Sequence, residues 1–245
     1  QAFGGDDGGG AGSGGDVAIA MDADSSITTS GKNAHGVWAH SVGGGGGAAG
    51  SLDTQAVATT YTTGVGSAGG DGDGGYVNAD LQGDIHVTGE GAHGVFLQSA
   101  SGGDSYSGGV KLYVGGSIKA EGKDARAILV QSSETGSDDP KGDWTTSGSC
   151  DQADDQCRGT SHLYVQAGAV VETTNKNAYE TIAVSGGRMK MNTDGTIHYS
   201  NLIDNSGTLR SADLDSVVIA NDDTGGLRIH NNDGGLLSGS LQLSD

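Results

Sequence analysis

The sequence predicts an all-β chain wound as a single right-handed parallel β-helix, with three short strands in each coil and loop insertions on one side. Three observations predict it. A phrase recurs along the chain: "NAHGVWAHSVGGGGG" at 33–47, "GAHGVFLQSASGGD" at 91–104 and, more loosely, "DARAILVQSSETGS" at 124–137. Around it, apolar and polar residues alternate with the period of a strand, not of a helix. The match returns one whole unit later, which hairpin pairing does not explain and a stacked solenoid does. The right hand is taken from the rule for parallel crossovers.

The elements follow by counting from the alanine in that phrase, Ala34, Ala92, Ala125 and Ala178. Upstream of each anchor stand Ile27, Ile85, Ile118 and Val171, with Thr29, Val87, Ala120 and Thr173 two residues later and polar residues between. This is one strand. At a constant fifteen residues before the anchor come Ile19, Val77, Val110 and Leu163, which open another strand with the same alternation. After the anchor, "VWAHS", "VFLQS", "ILVQS" and "TIAVS" supply a third. The ladder Ile27–Ile85–Ile118–Val171 is the predicted core, each side chain contributing roughly 1.5–3 kcal/mol on burial. Trp38, Phe96, Leu129 and Ile182 form a second apolar row. Parity alone leaves open whether that row or Val37, Val95 and Ile128 point inward. If it points outward, coverage by the insertions is the preferred reading over an exposed stripe.

The domain organisation read this way is a glycine-rich N-terminal segment over 1–15, then four coils over 16–185. Insertions interrupt these coils at about 42–75, 100–109 and 133–160. Two or three shorter coils, read without insertions, fill 186–245. Every insertion leaves after the third strand, so all are expected on one side, where repeat proteins carry their binding surfaces. The glycines that open them tolerate positive φ; for 43–50 a flexible spacer is an equal alternative.

Composition limits the function classes. Only 33% of the 245 residues are hydrophobic, 48 are glycine, one is proline (Pro140) and the net charge is −19. Val, Ile and Leu kept in register argue for order, and glycine lacks the collagen period. Twelve basic residues do not supply a nucleic-acid footprint, so no nucleic-acid partner is expected. No apolar run approaches a membrane span. A chain starting "QAFGGDDGGG" reads as a processed product or an excised fragment.

The phrases "G-x-x-A-H-G-V" before a glycine tract, "N-S-G-T-L" and "G-L-L-S-G-S-L-Q-L" resemble those of passenger domains of bacterial autotransporters. The resemblance implies a β-helix exported through the outer membrane and displayed or released at the cell surface, where such passengers act as adhesins, self-association factors or toxins. The resemblance also implies a carboxy-terminal translocator barrel, which is not expected within these residues, since none of them alternate over ten-residue spans as a membrane barrel would. The resemblance carries over no catalytic residue.

Candidate chemistry is sparse. Cys150 and Cys157, alone in the third insertion of a chain that looks exported, read as one local disulfide. Zinc would need more ligands and redox chemistry a C-x-x-C spacing. The same insertion holds Asp138, Asp139, Asp143, Asp151, Asp154 and Asp155, and "GGDGDGG" at 69–75 is close to a calcium repeat. Calcium is weighed against a solvated acidic loop, and the loop is preferred; no cofactor is expected. His35 and His93 occupy equivalent positions, followed by Arg126 and Tyr179, and a metal there is rejected as a coincidence of the repeat. Asp22 and Asp80, followed by Tyr113 and Gln166, are the nearest approach to a carboxylate pair, and ordinary outward aspartates are preferred. No serine-protease context appears. The loop "GGSIKAEGKD" at 115–124 lacks the Ser or Thr of a phosphate loop.

The expectation is therefore a non-catalytic extracellular or surface-displayed β-helix. Its insertions, with Tyr106 and Trp144 as candidate contact residues, would meet a host surface, a glycan or another copy of the chain. A polysaccharide lyase or hydrolase on the same architecture and a structural stalk or filament subunit are the alternatives.

Overall fold

The structure, a computed structural model, describes residues 12–44, 71–102, 105–132, 159–186, 190–191, 197–198, 201–221 and 226–243. Short β-branched and apolar runs separated by Gly, Asn and Asp leave room only for brief strands. The first coil holds β1 (Val17–Met21), β2 (Ser26–Thr29) and β3 (Val37–Val42). The second holds β4 (Val77–Leu81), β5 (Asp84–Val87) and β6 (Val95–Ala100). The third holds β7 (Val110–Val114), β8 (Ser117–Ala120) and β9 (Ile128–Ser132), and the fourth β10 (Ser161–Val165), β11 (Val170–Thr173) and β12 (Ile182–Gly186). A hairpin of β13 (Lys190–Met191) and β14 (Ile197–His198) follows. The fifth coil is β15 (Asn201–Asn205), β16 (Thr208–Arg210) and β17 (Val217–Asn221); the sixth is β18 (Leu227–Asn231), β19 (Leu236–Ser238) and β20 (Ser240–Leu243).

Setting the β13–β14 pair aside, every third strand shares a sheet. Sheet A is β1-β4-β7-β10-β15-β18, sheet B is β2-β5-β8-β11-β16-β19 and sheet C is β3-β6-β9-β12-β17-β20, each six strands wide and paired in parallel. This is the all-β solenoid with three strands per coil that the repeats predict. The core runs down its axis. Ile27 pairs with Ile85, Ile85 with Ile118, Ile118 with Val171, and the column continues through Leu209 to Leu237. Ile85, Ile118, Val171 and Leu209 are buried, and the end members Ile27 and Leu237 partly so.

Two alignments made by counting are corrected. Ile19 pairs with Ala79, not Val77, and Leu163 pairs with Leu112, not Val110. The corner between the first and second strands spans 22–25 and 166–169 in those coils but 82–83 and 115–116 in the coils between. A constant count therefore slips by two residues. The slip preserves parity, so every inward residue was still assigned inward.

The second slip is by one residue and does reverse a face. The corner between the second and third strands spans 121–127 in the third coil and 174–181 in the fourth, one residue longer. The Thr181 carbonyl absorbs the extra residue by accepting from both Ala127 N–H and Ile128 N–H at 3.0 Å. Ile182 consequently pairs with Ile128 in the core, and Ala183 takes the place assigned to Ile182 in the row Trp38–Phe96–Leu129.

The chain after 186 also differs from a run without insertions. The antiparallel β13–β14 pair sits between the fourth and fifth coils. Its sequence signal was available: Asp194-Gly195 between alternating segments is a hairpin dipeptide.

Candidate interaction surface

The corner between sheet C and sheet A is where the solenoid opens. β3 ends at Val42 and β4 begins at Val77, β6 ends at Ala100 and β7 begins at Val110, and β9 ends at Ser132 and β10 begins at Ser161. In the first three coils an inward serine near the end of the third strand clamps the same coil's entry. Ser41 Oγ donates to the Gly15 carbonyl at 2.8 Å, Ser99 Oγ to Gly75 at 2.8 Å and Ser132 Oγ to Gly108 at 3.0 Å. Gly75 N–H in turn donates to Ser41 Oγ at 2.8 Å, so the first insertion is tied shut at its base.

The bases of successive insertions are bonded to one another. Gly14 N–H donates to the Asp73 carbonyl at 2.7 Å, and Gly74 N–H to the Tyr106 carbonyl at 2.9 Å. The Asp73 carboxylate accepts from Tyr106 N–H at 2.9 Å. Gly72 and Gly102 form an antiparallel bridge. A Cβ on Gly43 would lie 2.2 Å from the Gly72 carbonyl oxygen, so the glycine that opens this insertion is demanded by close backbone packing. Tyr106, half-buried, belongs to this base through its main chain. Trp144, the Cys150–Cys157 pair and the acidic cluster 138–155 lie outside the described residues.

The recurring phrase itself is the corner between sheets B and C. Asn33, Gly91 and Asp124 hold φ of 57°, 68° and 55°, the left-handed region that Asn, Gly and Asp tolerate best. Two residues on, each histidine caps the coil that follows. His93 N–H donates to His35 Nδ1 at 2.9 Å, and Arg126 N–H donates to His93 Nδ1 at 3.2 Å. The imidazoles stack at 4.9 Å, and Nδ1 of each is therefore unprotonated. Burial lowers the His35 pKa; for His93 burial, then Arg126, then His35 push it well below the usual imidazole range.

The longer fourth corner brings Glu180 as well as Tyr179 against Arg126. Arg126 Nε donates to Glu180 Oε1 at 2.7 Å, and its guanidinium lies 4.4 Å from the centre of the Tyr179 ring. Arg126 is 1% exposed, so this pairing is what makes its burial tolerable. The column His35–His93–Arg126–Glu180 is a structural device of the corner.

The three outer faces differ. On sheet C the row Trp38–Phe96–Leu129–Ala183 points outward, with Val37, Val95, Ile128 and Ile182 in the core. Phe96, Leu129 and Ala183 are nonetheless buried as a second apolar cluster, while Trp38, stacked on Phe96 at 6.0 Å, is 42% exposed. On sheet B the charges close on themselves: His86 Nε2 lies 3.2 Å from Glu121, which also takes Lys119, and Arg210 pairs with Glu172.

Sheet A presents two polar rows. One is Ala18–Asn78–Lys111–His162–Leu202–Arg228; the other is Ala20–Asp80–Tyr113–Tyr164–Asp204–His230. Asp80 thus pairs with Ala20, so the carboxylate pair Asp22–Asp80 does not form, and Asp22 sits in the adjoining corner. Tyr113 and Tyr164 stack at 4.8 Å with 17° between their planes, and Lys111 Nζ lies 5.2 and 5.7 Å from their centres. Among the described residues, no three His, Cys, Asp or Glu side chains are grouped to hold a metal ion. Counting along the sequence missed the Tyr113–Tyr164 stack because the two-residue slip hid it.

Comparison of the chain with models of known protein families, with curated proteins and with solved structures returned no match.

Proposed function

We propose that the chain is a non-catalytic contact module of the autotransporter-passenger type, working outside the cell and meeting its partner through the insertion corner. The observation that carries this reading is positional. The long stretches outside the three main sheets, 43–76, 101–109, 133–160 and 187–200, all fall between a sheet C strand and the next sheet A strand. The other two corners are short, and so the solenoid acts as a rigid rack with its variable material on one edge. The serine clamps and the Gly14–Asp73–Tyr106 bonds fix the base of that edge, which limits the ordering entropy that binding would cost.

The test replaces 133–160 by a short Gly/Ser bridge and measures retention on host cells and on immobilised glycans. Retention falls at least about tenfold while the circular dichroism spectrum and melting midpoint stay put. Undiminished retention after removing this insertion and 45–70 together overturns the proposal.

A further inference from the structure

The outer face of sheet A borders the insertion corner, since each insertion re-enters the solenoid at the start of a sheet A strand. It differs from its two neighbours in the side chains it presents. Sheet C's outward row is buried over most of its length, and sheet B's charges are consumed by pairing among themselves. Sheet A offers amides, phenols, imidazoles and carboxylates in two straight rows that run the length of six coils.

We infer that this face is a track for an extended, uncharged polysaccharide lying parallel to the solenoid axis. The inference rests on the extracellular contact role proposed above and names its partner class.

Four features point to that chemistry. The first is spacing: stacked side chains recur every ~4.8 Å along the axis, close to the advance of an extended pyranose chain per sugar, so successive sugars pass successive coils and meet a different side chain at most of them. The second is charge. Within the two rows Lys111 and Arg228 oppose Asp80 and Asp204, and burial, helped by Lys111, pushes His162 down to about 4, leaving it uncharged at neutral pH. This makes a nearly neutral strip on a chain of net charge −19, which repels polyanions elsewhere.

The third is the aromatic pair. Tyr113 and Tyr164 are half-buried and held by stacking on each other and by Lys111. Tyrosine supplies apolar contact and a hydrogen-bonding tip at low entropic cost. The fourth is preorganisation of the flanking polar groups. Gln82 donates to Asp80, and Asn232 donates to Asp204, whose carboxylate also lies 3.3 Å from His230 Nδ1. The orientation of these acceptors is thus set before a ligand arrives.

The experiment is titration calorimetry of the full chain with neutral glucan, xylan and mannan oligosaccharides of two and six sugars, and with polygalacturonate. The variants are Tyr113→Ala with Tyr164→Ala, Leu202→Glu, which leaves both rings in place, His86→Ala on sheet B, and the chain lacking 133–160. A neutral hexasaccharide binds at least about tenfold tighter than its disaccharide. The tyrosine double variant and Leu202→Glu each lose at least about tenfold, and His86→Ala does not, with unchanged melting midpoints. Retention of that binding after removal of 133–160 places it on sheet A, whatever the insertions contact.

The inference is overturned if no neutral oligosaccharide binds, or if polygalacturonate binds more tightly. It is equally overturned if binding is lost only with 133–160 and both sheet A variants bind as the parent does. That last outcome leaves the insertion-corner proposal standing.

Discussion

His93 shows at the scale of one residue how the corner is built and what disturbs it. Its Nδ1 accepts the Arg126 N–H, its own N–H is accepted by His35, and the ring is 3% exposed between the two. A proton on Nδ1 would remove an acceptor and place a cation beside Arg126, which pairs with Glu180. Burial lowers the folded pKa of both histidines, and Arg126 and His35 lower that of His93 further, while the unfolded chain titrates near the ordinary value of about 6.5. The unfolded state therefore binds more protons below that pH. The stabilisation is fully present above about 6.5 and drains away as pH falls towards the folded values. The melting midpoint is expected to drop between about pH 7 and pH 5, and His93→Asn, which keeps an acceptor without a titrating ring, to flatten that drop. A variant with the parent's slope would remove His93 from the account.

The strand is the scale at which the sequence was readable, and also where it misled. Ile27, Ile85 and Ile118 were found by counting because the corner after the second strand is equally long in the first three coils, at 30–36, 88–94 and 121–127, and Val171 keeps the same offset from Ala178. The first strand lay across a corner of two or four residues, so its rows were displaced and the Tyr113–Tyr164 stack went unseen. One added residue in 174–181 reversed Ile182 and brought Glu180 to Arg126 beside the expected Tyr179. Corner length is set by backbone hydrogen bonds such as the shared Thr181 carbonyl, and these leave no mark in hydrophobic periodicity. The face of sheet A was illegible for a related reason: its meaning comes from side chains on different coils. Packing gives the element-scale prediction. Ile118 is fully buried between Ile85 and Val171, whereas Leu237 has Leu209 on one side only and is partly exposed. Ile118→Ala is expected to cost about 2–5 kcal/mol in denaturant unfolding and Leu237→Ala clearly less, because the outer site already meets water. Equal losses would mean that burial in the column does not set its stability.

Across the whole molecule the interactions are one-dimensional. Each strand pairs only with the coil before and the coil after, so an inner coil has two interfaces while the first and sixth coils of the described stack have one. Stability in such arrays behaves as a sum of coil and nearest-neighbour contributions. The gradient is visible in the residues: Val77, Val110 and Ile203 in the inner coils are fully buried, whereas Val17, Leu227 and Ile229 at the two ends are partly buried and Leu241 is 49% exposed. The polar replacements in the lower core point the same way. The column Met21–Leu81–Val114–Val165 gives way to Asn205 and Asn231, whose Nδ2–H···Oδ1 bond at 2.7 Å satisfies the buried amide without adding apolar contact. Opening should begin at the sixth coil and travel inward, since its release exposes little new apolar surface and breaks one interface. Amide hydrogen exchange is therefore expected to be slowest in β5, β8 and β11, faster in β16, and fastest in β18, β19 and β20. Under conditions favouring exchange through opening, protection should fall stepwise by coil. If the sixth coil exchanges as slowly as the third, the solenoid unfolds as one cooperative block and the nearest-neighbour account fails. In that case the rigid-rack role of the coils must come from coupling along the full axis, and a deletion at the insertion corner should then shift protection in every coil at once.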